Sequence, residues 1–382
     1  MKIGLVLPYN ITLGGGVKEH VFAQQNELTR RGHDVVVVTP QPREAYVPDG
    51  RKVAFLGSAT ELKTPLGTAS QISASILTDE IDALLEREAF DILHFHEPGV
   101  PVLSRQILSR SNTVNVATFH ALWPETVMSR TMAKVVRPYT KPLVRHINAF
   151  TAVTEGVAKY VRTLADVPIA IIPNGIDLKH FKKPSKLQRN PAQPKTIFYV
   201  GRLEQRKGVQ YLLRAVAQLQ QQWPDVHLVI AGDGVDRQKL EAEADELGLK
   251  HTDFLGFIDE ATKKRLLHSA DLACYPAIFG ESFGIVLLEA MASGLVTVAG
   301  DNPGYASVMQ ELGRLSLVNP KDTLQFAHRL ELLLFDEDLR AIWKKWAKEY
   351  VKQFDYTHIV DRYEAVYKKA LAAARKNVRK RK

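Results

Sequence analysis

This 382-residue sequence is poor in cysteine and contains no long apolar run. Its single cysteine, Cys274, excludes an intramolecular disulfide, and its apolar neighbours predict a buried, reduced thiol. A reduced thiol is typical of the cytoplasm, which is the location that we expect. No stretch approaches the roughly 20 apolar residues of a membrane-spanning helix, and the apolar residues between Lys2 and Pro8 are too few for a signal peptide.

The sequence also lacks a charge excess outside one short segment. The formal net charge is +9, from 51 Lys and Arg against 42 Asp and Glu. Residues 368–382 contain eight of these basic residues and no acidic one, so the remainder has 43 basic against 42 acidic residues. A nearly neutral body argues against nucleic acid as a partner. The basic tail is compatible with a solvated extension or with an anionic membrane surface.

Short apolar segments alternate with amphipathic ones in two blocks. The strands predicted in the first block are residues 3–7, 34–39, 53–56, 91–95, 114–118, 149–153 and 170–172. Helices predicted between them include residues 17–31, 72–88 and 155–164. The strands predicted in the second block are residues 196–200, 226–231, 252–255, 272–275 and 295–299. Strands rich in Val, Ile and Leu that alternate with helices indicate parallel sheets covered on both faces.

Residues 182–195 interrupt this alternation with three prolines and no periodicity, as a linker does. We therefore predict an α/β protein with two doubly wound, Rossmann-like domains. The predicted N-terminal domain covers residues 1–181 and the C-terminal domain residues 196–354, and the basic tail covers 368–382. In this architecture ligands bind at the carboxyl ends of the strands, so a cleft between the two sheets is expected.

Three glycines, Gly14, Gly15 and Gly16, follow the first predicted strand and precede a helix. Glycine lets a ligand approach the backbone, and the N–H groups at a helix start favour a phosphate, although an ordinary turn would have the same composition. The spacing is not GxGxxG, and Thr39 ends the second strand where a dinucleotide-binding domain has an acid. Nicotinamide binding is therefore not expected.

Two further segments suggest the chemistry of a diphosphate leaving group. Arg202 and Lys207 follow the first strand of the second block, where fixed cations can stabilise charge on a departing phosphate, unless they are simply solvated loop residues. The segment GESFGIVLLEA starts at Gly280 and places Glu281 in a turn, where a carboxylate can accept hydrogen bonds from sugar hydroxyls. Glu289 lies among apolar residues, and a buried acid needs a partner.

Histidines lie at the ends of two neighbouring strands of the first block. His120 follows the strand 114–118, and His94, His96 and Glu97 lie at the end of the strand before it. The H-x-H-E spacing suggests a metal site, but no further Cys or His cluster completes it. We predict no metal.

Taken together, these segments resemble the retaining GT-B glycosyltransferases of family 4 over essentially the whole chain. The similar segments are GGGVKEH from Gly14, HFHEP from His94, ATFH ending at His120, IPNGID from Ile172, GRLEQRKG from Gly201, AGDG from Ala231, FLGFIDEATK from Phe254 and GESFGIVLLEA from Gly280. Within the family the chain resembles the phosphatidylinositol mannosyltransferases, which share HEP, RPY (here Arg137-Pro138-Tyr139) and a DDATK-like segment.

The resemblance implies a hexose transfer, of mannose or glucose, from GDP-mannose or a UDP-hexose, with retention and without a metal or other cofactor. It also implies a C-terminal helix, at about residues 355–374, that crosses back to the N-terminal domain. The implied donor contacts are Gly16, Arg202 and Lys207 with the diphosphate, Glu281 and His120 with the sugar, Glu289 with the ribose, and Ile258 and Lys263 with the base. Gly15, Gly201, Gly232, Phe283, Gly284 and Ile285 complete the predicted donor site, and Tyr9, Lys18 and Trp123 are the predicted acceptor contacts.

The acceptor implied by the resemblance is a membrane lipid, of phosphatidylinositol or diacylglycerol type. The phosphatidylinositol enzymes have a lysine shortly after the active-site histidine, whereas residues 121–125 here contain no cation. A basic series at helical spacing suits an anionic membrane surface, and it suits a solvated helix face equally well. Its members are Arg130, Lys134, Arg137, Lys141 and Arg145. The alternatives are a soluble acceptor such as a sugar phosphate or glycan, a nucleotide-sugar epimerase, or an inactive scaffold.

Overall fold

The computed structural model describes residues 1–12, 15–42, 50–63, 69–74, 78–100, 102–122, 138, 140–182 and 193–381. The chain divides into two compact units. Unit 1 consists of Met1–Gly175 and Tyr356–Lys382, and unit 2 of Ile176–Asp355. The chain thus enters unit 2 before residue 182, where the linker was predicted to begin. The segment just before residue 182 is fixed within unit 2, because the His268 ring lies 2.9 Å from the carbonyl oxygen of Phe181.

Unit 1 is built on a single sheet of eight described strands. They are β1 (Lys2–Val6), β2 (Asp34–Gln41), β3 (Val53–Lys63), β4 (Ala69–Ala74), β5 (Ile92–His96), β6 (Val114–Phe119), β7 (Ala149–Ala152) and β8 (Ile169–Ile171). Their order is β4-β3-β2-β1-β5-β6-β7-β8, and only the β3–β4 pair is antiparallel. Its first helices are α1 (Gly16–Arg30), α2 (Thr78–Glu88), α3 (Leu103–Arg110) and α4 (Glu155–Leu164). β5 and β6 are buried along their whole length, as their apolar composition predicts.

The helix predicted over residues 72–88 is wrong at its start. Residues 69–74 instead form β4, which pairs with β3 so that Ile72 lies opposite Thr60. Both residues are β-branched, and β-branched residue types favour a strand over a helix. The helix begins only at Thr78, where Asp79 and Glu80 in the first turn complement the helix dipole.

Unit 2 has the strand order of a Rossmann fold. Its described strands are β9 (Thr196–Val200), β10 (His227–Ala231), β11 (Thr252–Gly256), β12 (Leu272–Tyr275), β13 (Val296–Gly300) and β14 (Leu317–Val318). All are parallel, in the order β11-β10-β9-β12-β13-β14. The helices are α5 (Leu178–Phe181), α6 (Val209–Gln220), α7 (Arg237–Glu246), α8 (Glu260–Ser269), α9 (Ile285–Ala292), α10 (Pro303–Val308), α11 (Thr323–Phe335) and α12 (Glu337–Tyr350). The order reverses between β9 and β12, which is where such a sheet binds ligands.

The last helix, α13 (Tyr356–Arg381), returns to unit 1. Tyr363, Tyr367 and Ala370 of α13 belong to the same apolar core as the strands β1 and β2. The Arg31 guanidinium at the end of α1 lies 2.6 Å from the Asp361 carboxylate and ties the two helices together. The predicted pair of Rossmann-like domains and the returning helix are therefore confirmed. The basic tail is the end of α13 rather than a separate extension.

Short 3-10 helices complete the described chain, at Lys141–His146, Gln205–Lys207, Glu311–Ser316 and Val351–Phe354. Lys141 and Arg145 of the basic series are exposed on the first of them. Four residues of a 3-10 helix rotate through about 120°, against about 40° in an α-helix, so these two cations do not share one face as predicted. Arg130, Lys134 and Arg137 lie outside the described residues.

Candidate active site

Two loops meet where the strand order of unit 2 reverses. Residues 201–208 follow β9, and residues 276–284 follow β12. The Ile278 N–H donates to the Arg206 carbonyl at 2.9 Å, so the loops are joined backbone to backbone. Gly208 has a φ of +74°, and a Cβ there would lie 2.1 Å from the Pro276 carbonyl oxygen. Only glycine allows this approach, which aligns the cations of the first loop with the acid of the second.

Lys207 and Glu281, both predicted from sequence, are in direct contact. Lys207 Nζ lies 2.7 Å from Glu281 Oε1, and Arg206 Nη1 lies 2.9 Å from the same oxygen. Arg206 also binds Glu204, while the Arg202 guanidinium is 55% exposed and lies 3.5 Å from the Glu204 carboxylate. These five side chains carry three positive and two negative charges. The excess of positive charge suits a polyanionic ligand such as a diphosphate.

Arg206 and Glu204 are the members of this cluster that are absent from the predicted set, and Arg206 is the one that contacts Glu281. The only sequence signal for Arg206 is its place beside Lys207 in the GRLEQRKG segment. The 3-10 turn Gln205–Lys207 directs both side chains to the same acid, and that turn cannot be read from the spacing of the cations.

A third loop of unit 2 packs against the first. Gly232 directly follows β10 and has a φ of +129°, and a Cβ there would lie 1.9 Å from the carbonyl oxygen of Gly201. The Gly201 N–H donates to the Ala231 carbonyl at 3.0 Å. The predicted glycines Gly201 and Gly232 therefore allow the two loops to pack backbone to backbone. In the structure, their role is to permit this close packing.

The predicted ribose and base residues lie around α8 and α9. Gly284 is the N-cap of α9 without a side-chain capping bond, between the buried Phe283 and the first helical residue, Ile285. Buried Glu289 was predicted to need a partner, and the structure identifies it as Lys263, whose Nζ lies 3.0 Å from Glu289 Oε1. Burial lowers the pKa of Lys263, but the negative charges of Glu289 and then Glu260 outweigh it and raise that pKa overall. Ile258 is half-buried in the loop before α8.

The start of α1 in unit 1 presents uncapped backbone amides. Gly15 is the N-cap and makes no side-chain capping bond, and both Gly15 and Gly16 are exposed. Two of the predicted acceptor contacts lie near this helix start. The carbonyl of Tyr9, after β1, accepts a hydrogen bond from the Thr39 hydroxyl. The Lys18 ammonium lies 3.3 Å from the Glu19 carboxylate. Burial and then the Glu97 carboxylate raise the pKa of Tyr9. The predicted residues Gly14 and Trp123 lie outside the described residues.

His120 is held at its backbone and at its ring. The Glu97 carboxylate accepts hydrogen bonds from the N–H groups of His120 and Ala121, both at 2.7 Å. His96 Nδ1 lies 3.0 Å from His120 Nε2, and the two rings are stacked with centroids 5.3 Å apart. Glu97 adopts a φ of +54°, which is rare for a residue with a side chain and is enriched at functional sites.

His120 belongs to a buried group of four imidazoles, which also contains His20, His94 and His96. Burial lowers the pKa of His20 and His94 to about 3, and that of His96 and His120 well below its usual value. All four rings are therefore neutral near pH 7. Three further side chains form hydrogen bonds with this group: Gln24, Tyr363 and Tyr367. These three residues and His20 are absent from the predicted set. Gln24 and Tyr367 are 343 positions apart, so only the fold brings them together.

Two observations on the described residues bear on metals and membranes. In those parts of the chain, no group of three or more His, Cys, Asp or Glu side chains is arranged to hold a metal ion. Within the same ranges, no helix has the length and apolarity needed to cross a bilayer.

Comparison with known proteins agrees with this arrangement. The family model "Glycosyltransferase Family 4" matches residues 14–180, and "Glycosyl transferases group 1" matches residues 181–350. The chain is 33% identical, over 96% of its length and 93% of the relative's, to a phosphatidyl-myo-inositol mannosyltransferase of Mycolicibacterium smegmatis.

Two solved structures share the fold. Sucrose-phosphate synthase from Thermosynechococcus elongatus aligns with a TM-score of 0.76 and 21% identity, over 97% of this chain and 99% of that one. Anabaena Alr3699/HepE, solved in complex with UDP-glucose, aligns with a TM-score of 0.71 and 18% identity, over 98% of this chain and all of that one. At these identities the two structures show the fold alone, whereas the family models and the 33% identical relative show the family: the chain is a glycosyltransferase and belongs to glycosyltransferase family 4.

Proposed function

We propose that this glycosyltransferase moves a hexose, mannose or glucose, from a nucleotide diphosphate sugar to an acceptor with retention of anomeric configuration. The observation that supports this best is the contact of Arg206 and Lys207 with Glu281 at the reversal of the unit 2 sheet. The HepE protein of the same fold was solved with UDP-glucose, which is consistent with a sugar nucleotide as the donor.

The cluster suits the departure of a diphosphate. Cleavage of the bond between sugar and phosphate places negative charge on the β-phosphate, and preorganised cations stabilise that charge. In this proposal the diphosphate binds Arg206 and Lys207, and Glu281 then accepts hydrogen bonds from hydroxyls of the transferred sugar. A phosphate oxygen of the leaving group accepts the proton of the attacking hydroxyl, so attack occurs on the face that the diphosphate leaves. No step in this scheme requires a metal ion.

The remaining predicted donor contacts extend this proposal. Glu289, held by Lys263, accepts hydrogen bonds from the ribose hydroxyls, and Ile258 packs against the base. In unit 1 the amide of Gly16 binds the diphosphate, and His120 contacts the transferred sugar.

The donor and the need for metal can be tested on the purified protein. Thermal shift with GDP-mannose, UDP-glucose and their nucleoside diphosphates should show stabilisation by one base series, because a bound ligand stabilises the folded state by mass action. NMR of the product should show the same anomeric configuration as the donor. Activity should survive exhaustive EDTA treatment. An inverted product would contradict retention, and an activity lost to EDTA and restored by Mn²⁺ or Mg²⁺ would contradict the metal-free scheme.

We further propose that the acceptor is a membrane lipid of phosphatidylinositol or diacylglycerol type, and that the protein works at the cytoplasmic face of the membrane. The relative of M. smegmatis is named for phosphatidyl-myo-inositol, and Lys141 and Arg145 offer exposed cations to anionic headgroups. Each such cation contributes on the order of 1 kcal/mol at an anionic surface.

Vesicle flotation and transfer assays separate this acceptor from a soluble one. Anionic vesicles should bind the protein at low salt and lose it by about 0.5 M salt, because screening shortens the range of the attraction. Charge reversal at Lys141 and Arg145 should weaken both flotation and glycosylation of phosphatidylinositol in vesicles. Reversal at Lys250, an exposed lysine of unit 2, is the matched control. Efficient transfer to a free sugar phosphate, with none to either lipid, would favour the soluble acceptor.

A further inference from the structure

We propose that His96 is a positioning residue for His120: its Nδ1–H donates a hydrogen bond to His120 Nε2, so that His120 carries its own proton on Nδ1. The mechanistic part of this inference rests on the proposed contact between His120 and the transferred sugar. The structural part concerns only which nitrogen of His120 is protonated, and it can be tested separately.

The fold brings the two rings together through neighbouring strands. β5 and β6 are parallel and pair His96 with Thr118, so the last residue of β5 lies next to the segment that leaves β6. His96 Nδ1 and His120 Nε2 are 3.0 Å apart, and both side chains are at most 5% exposed. At this distance one nitrogen must donate and the other accept.

The surroundings of both rings bear on the direction of this bond. Among the described residues, His96 Nε2 is buried and has no hydrogen-bond partner. If His96 accepted from His120, its proton would lie on that nitrogen as a buried N–H without an acceptor. If His96 donates, its Nε2 is only a bare acceptor, and the His120 proton lies on Nδ1, which is also buried and has no hydrogen bond of ordinary geometry among the described residues.

The two arrangements differ in the acceptor that is near. The Asn174 side chain acts on His120 as a hydrogen-bond acceptor, and its Oδ1 has no other partner among the described residues, whereas no acceptor acts in this way on His96. A buried N–H near an acceptor costs less than one without any. The donating arrangement is therefore favoured.

A doubly protonated ring is not a competing arrangement near neutral pH. Burial lowers the pKa of both His96 and His120, and the neighbouring imidazoles, including His20 and His94, lower it further. For His120 the Asn174 side chain acts in the opposite direction but does not restore the usual pKa.

The next residue along the strand, Glu97, fixes the backbone of the same histidine. Its carboxylate accepts from the N–H groups of His120 and Ala121, so rotation of the His120 backbone would break two hydrogen bonds. The hydrogen bond from His96 then leaves the ring little freedom to turn. His96 and Glu97 together hold both the backbone and the side chain of His120.

His94 provides a matched control in the same strand. Its ring is as buried as that of His96 and lies 4.2 Å from it, but its hydrogen bonds go elsewhere. His94 Nδ1 faces Gln24 Nε2 and the Tyr367 hydroxyl, and His94 Nε2 lies 2.6 Å from Thr118 Oγ1. Loss of this imidazole should therefore disturb the core without removing the bond to His120.

The direct test is ¹H–¹⁵N correlation spectroscopy of histidine side chains in the full-length protein near pH 7.5. We expect the His120 proton on Nδ1 in the wild type and in His96→Asn, because the asparagine amide can donate from nearly the same position. In His96→Phe we expect the proton to move to Nε2 or to exchange between both nitrogens. His94→Phe should lower the melting temperature and leave the proton of His120 on Nδ1.

The transfer reaction gives a second measurement. His96→Phe should lower kcat by roughly 10²-fold, the scale of a misplaced reacting group, with little change in the KM of the donor, and His96→Asn should recover much of that loss. A proton on Nε2 in the wild type, no change in His96→Phe, or an equal change in His94→Phe would overturn the inference. If His120→Ala transfers sugar normally, the proposed role of His120 is wrong, and the spectra still decide the role of His96.

Discussion

At the residue scale, Lys207 and Arg206 reach the same oxygen of Glu281, whereas Arg202 is largely exposed to solvent. We expect Lys207→Ala to lower turnover by roughly 10²-fold or more, the usual cost of losing one preorganised electrostatic contact. Arg202→Ala should cost less, because water screens an exposed guanidinium. Steady-state kinetics with saturating donor measures both effects. A Lys207→Ala enzyme within a few-fold of wild type would show that this cation does not stabilise the leaving group.

Glu281 should distinguish the sugar from the diphosphate. In the proposed function it binds hydroxyls of the transferred hexose, so Glu281→Gln should weaken binding of the sugar nucleotide and slow transfer together. The free nucleoside diphosphate has no hexose that could contact Glu281. In the variant, Arg206 and Lys207 also lose their contact with a negative charge, so the affinity of the protein for the free nucleoside diphosphate should be kept or increased. Calorimetric titration of both ligands measures this difference. Equal weakening of both ligands would assign Glu281 to the diphosphate site or to the loop structure.

At the element scale, α13 combines a basic end with a buried face. Ala370 is 6% exposed, and Leu371 and Ala374 pack against the unit 1 core. A chain that ends after Tyr367 should lose on the order of 2 kcal/mol of unfolding free energy, because it gives up this apolar contact. A chain that ends after Lys376 keeps the contact and should unfold like the full-length protein.

Urea unfolding of both truncations measures this difference, and equal unfolding free energies would show that the end of α13 does not stabilise unit 1. The longer truncation is also the suitable variant for membrane assays, since it removes Arg379, Lys380, Arg381 and Lys382 without removing the buried residues.

At the scale of the whole molecule, the buried imidazoles make unit 1 sensitive to acid. The folded-state pKa of His20 and His94 is about 3, below the usual 6.5, so between these values the unfolded chain binds more protons than the folded one. Stability is therefore complete above about pH 6.5 and is lost as the pH falls toward 3, by up to about 1.4 kcal/mol per pH unit for each histidine.

Because these histidines all lie in unit 1, that unit should lose protection before unit 2 on acidification. Hydrogen exchange followed by mass spectrometry at pH 7.5 and 5.5 measures the two units separately. Replacement of His94 by Asn should flatten the pH dependence of unit 1. Equal loss of protection in both units would contradict the assignment to this cluster.

Much of the candidate site follows from local sequence. Lys207, Glu281 and His120 lie after strand ends or before helix starts, and these positions are marked by glycines and by the change from apolar strand to polar loop. The required partner of Glu289 also follows from its apolar neighbours, and the structure identifies it as Lys263. The helix start at residue 72 was wrong because a short antiparallel strand has no pattern that separates it from the helix behind it.

By itself, the sequence determined the α/β class, the two Rossmann-like domains and the motifs that resemble family 4, and that resemblance in turn implied the return of the last helix. The spacing of apolar residues and the glycines that mark loops are local properties, so they can be recognised in the sequence alone. Only the tertiary structure decided that Arg206 shares Glu281 with Lys207, that His96 and Glu97 hold His120, and that α13 closes the histidine cluster with Tyr363 and Tyr367. Those contacts join residues from different strands and helices. Their geometry depends on strand order and loop packing, and neither can be inferred from the spacing of residues along the chain.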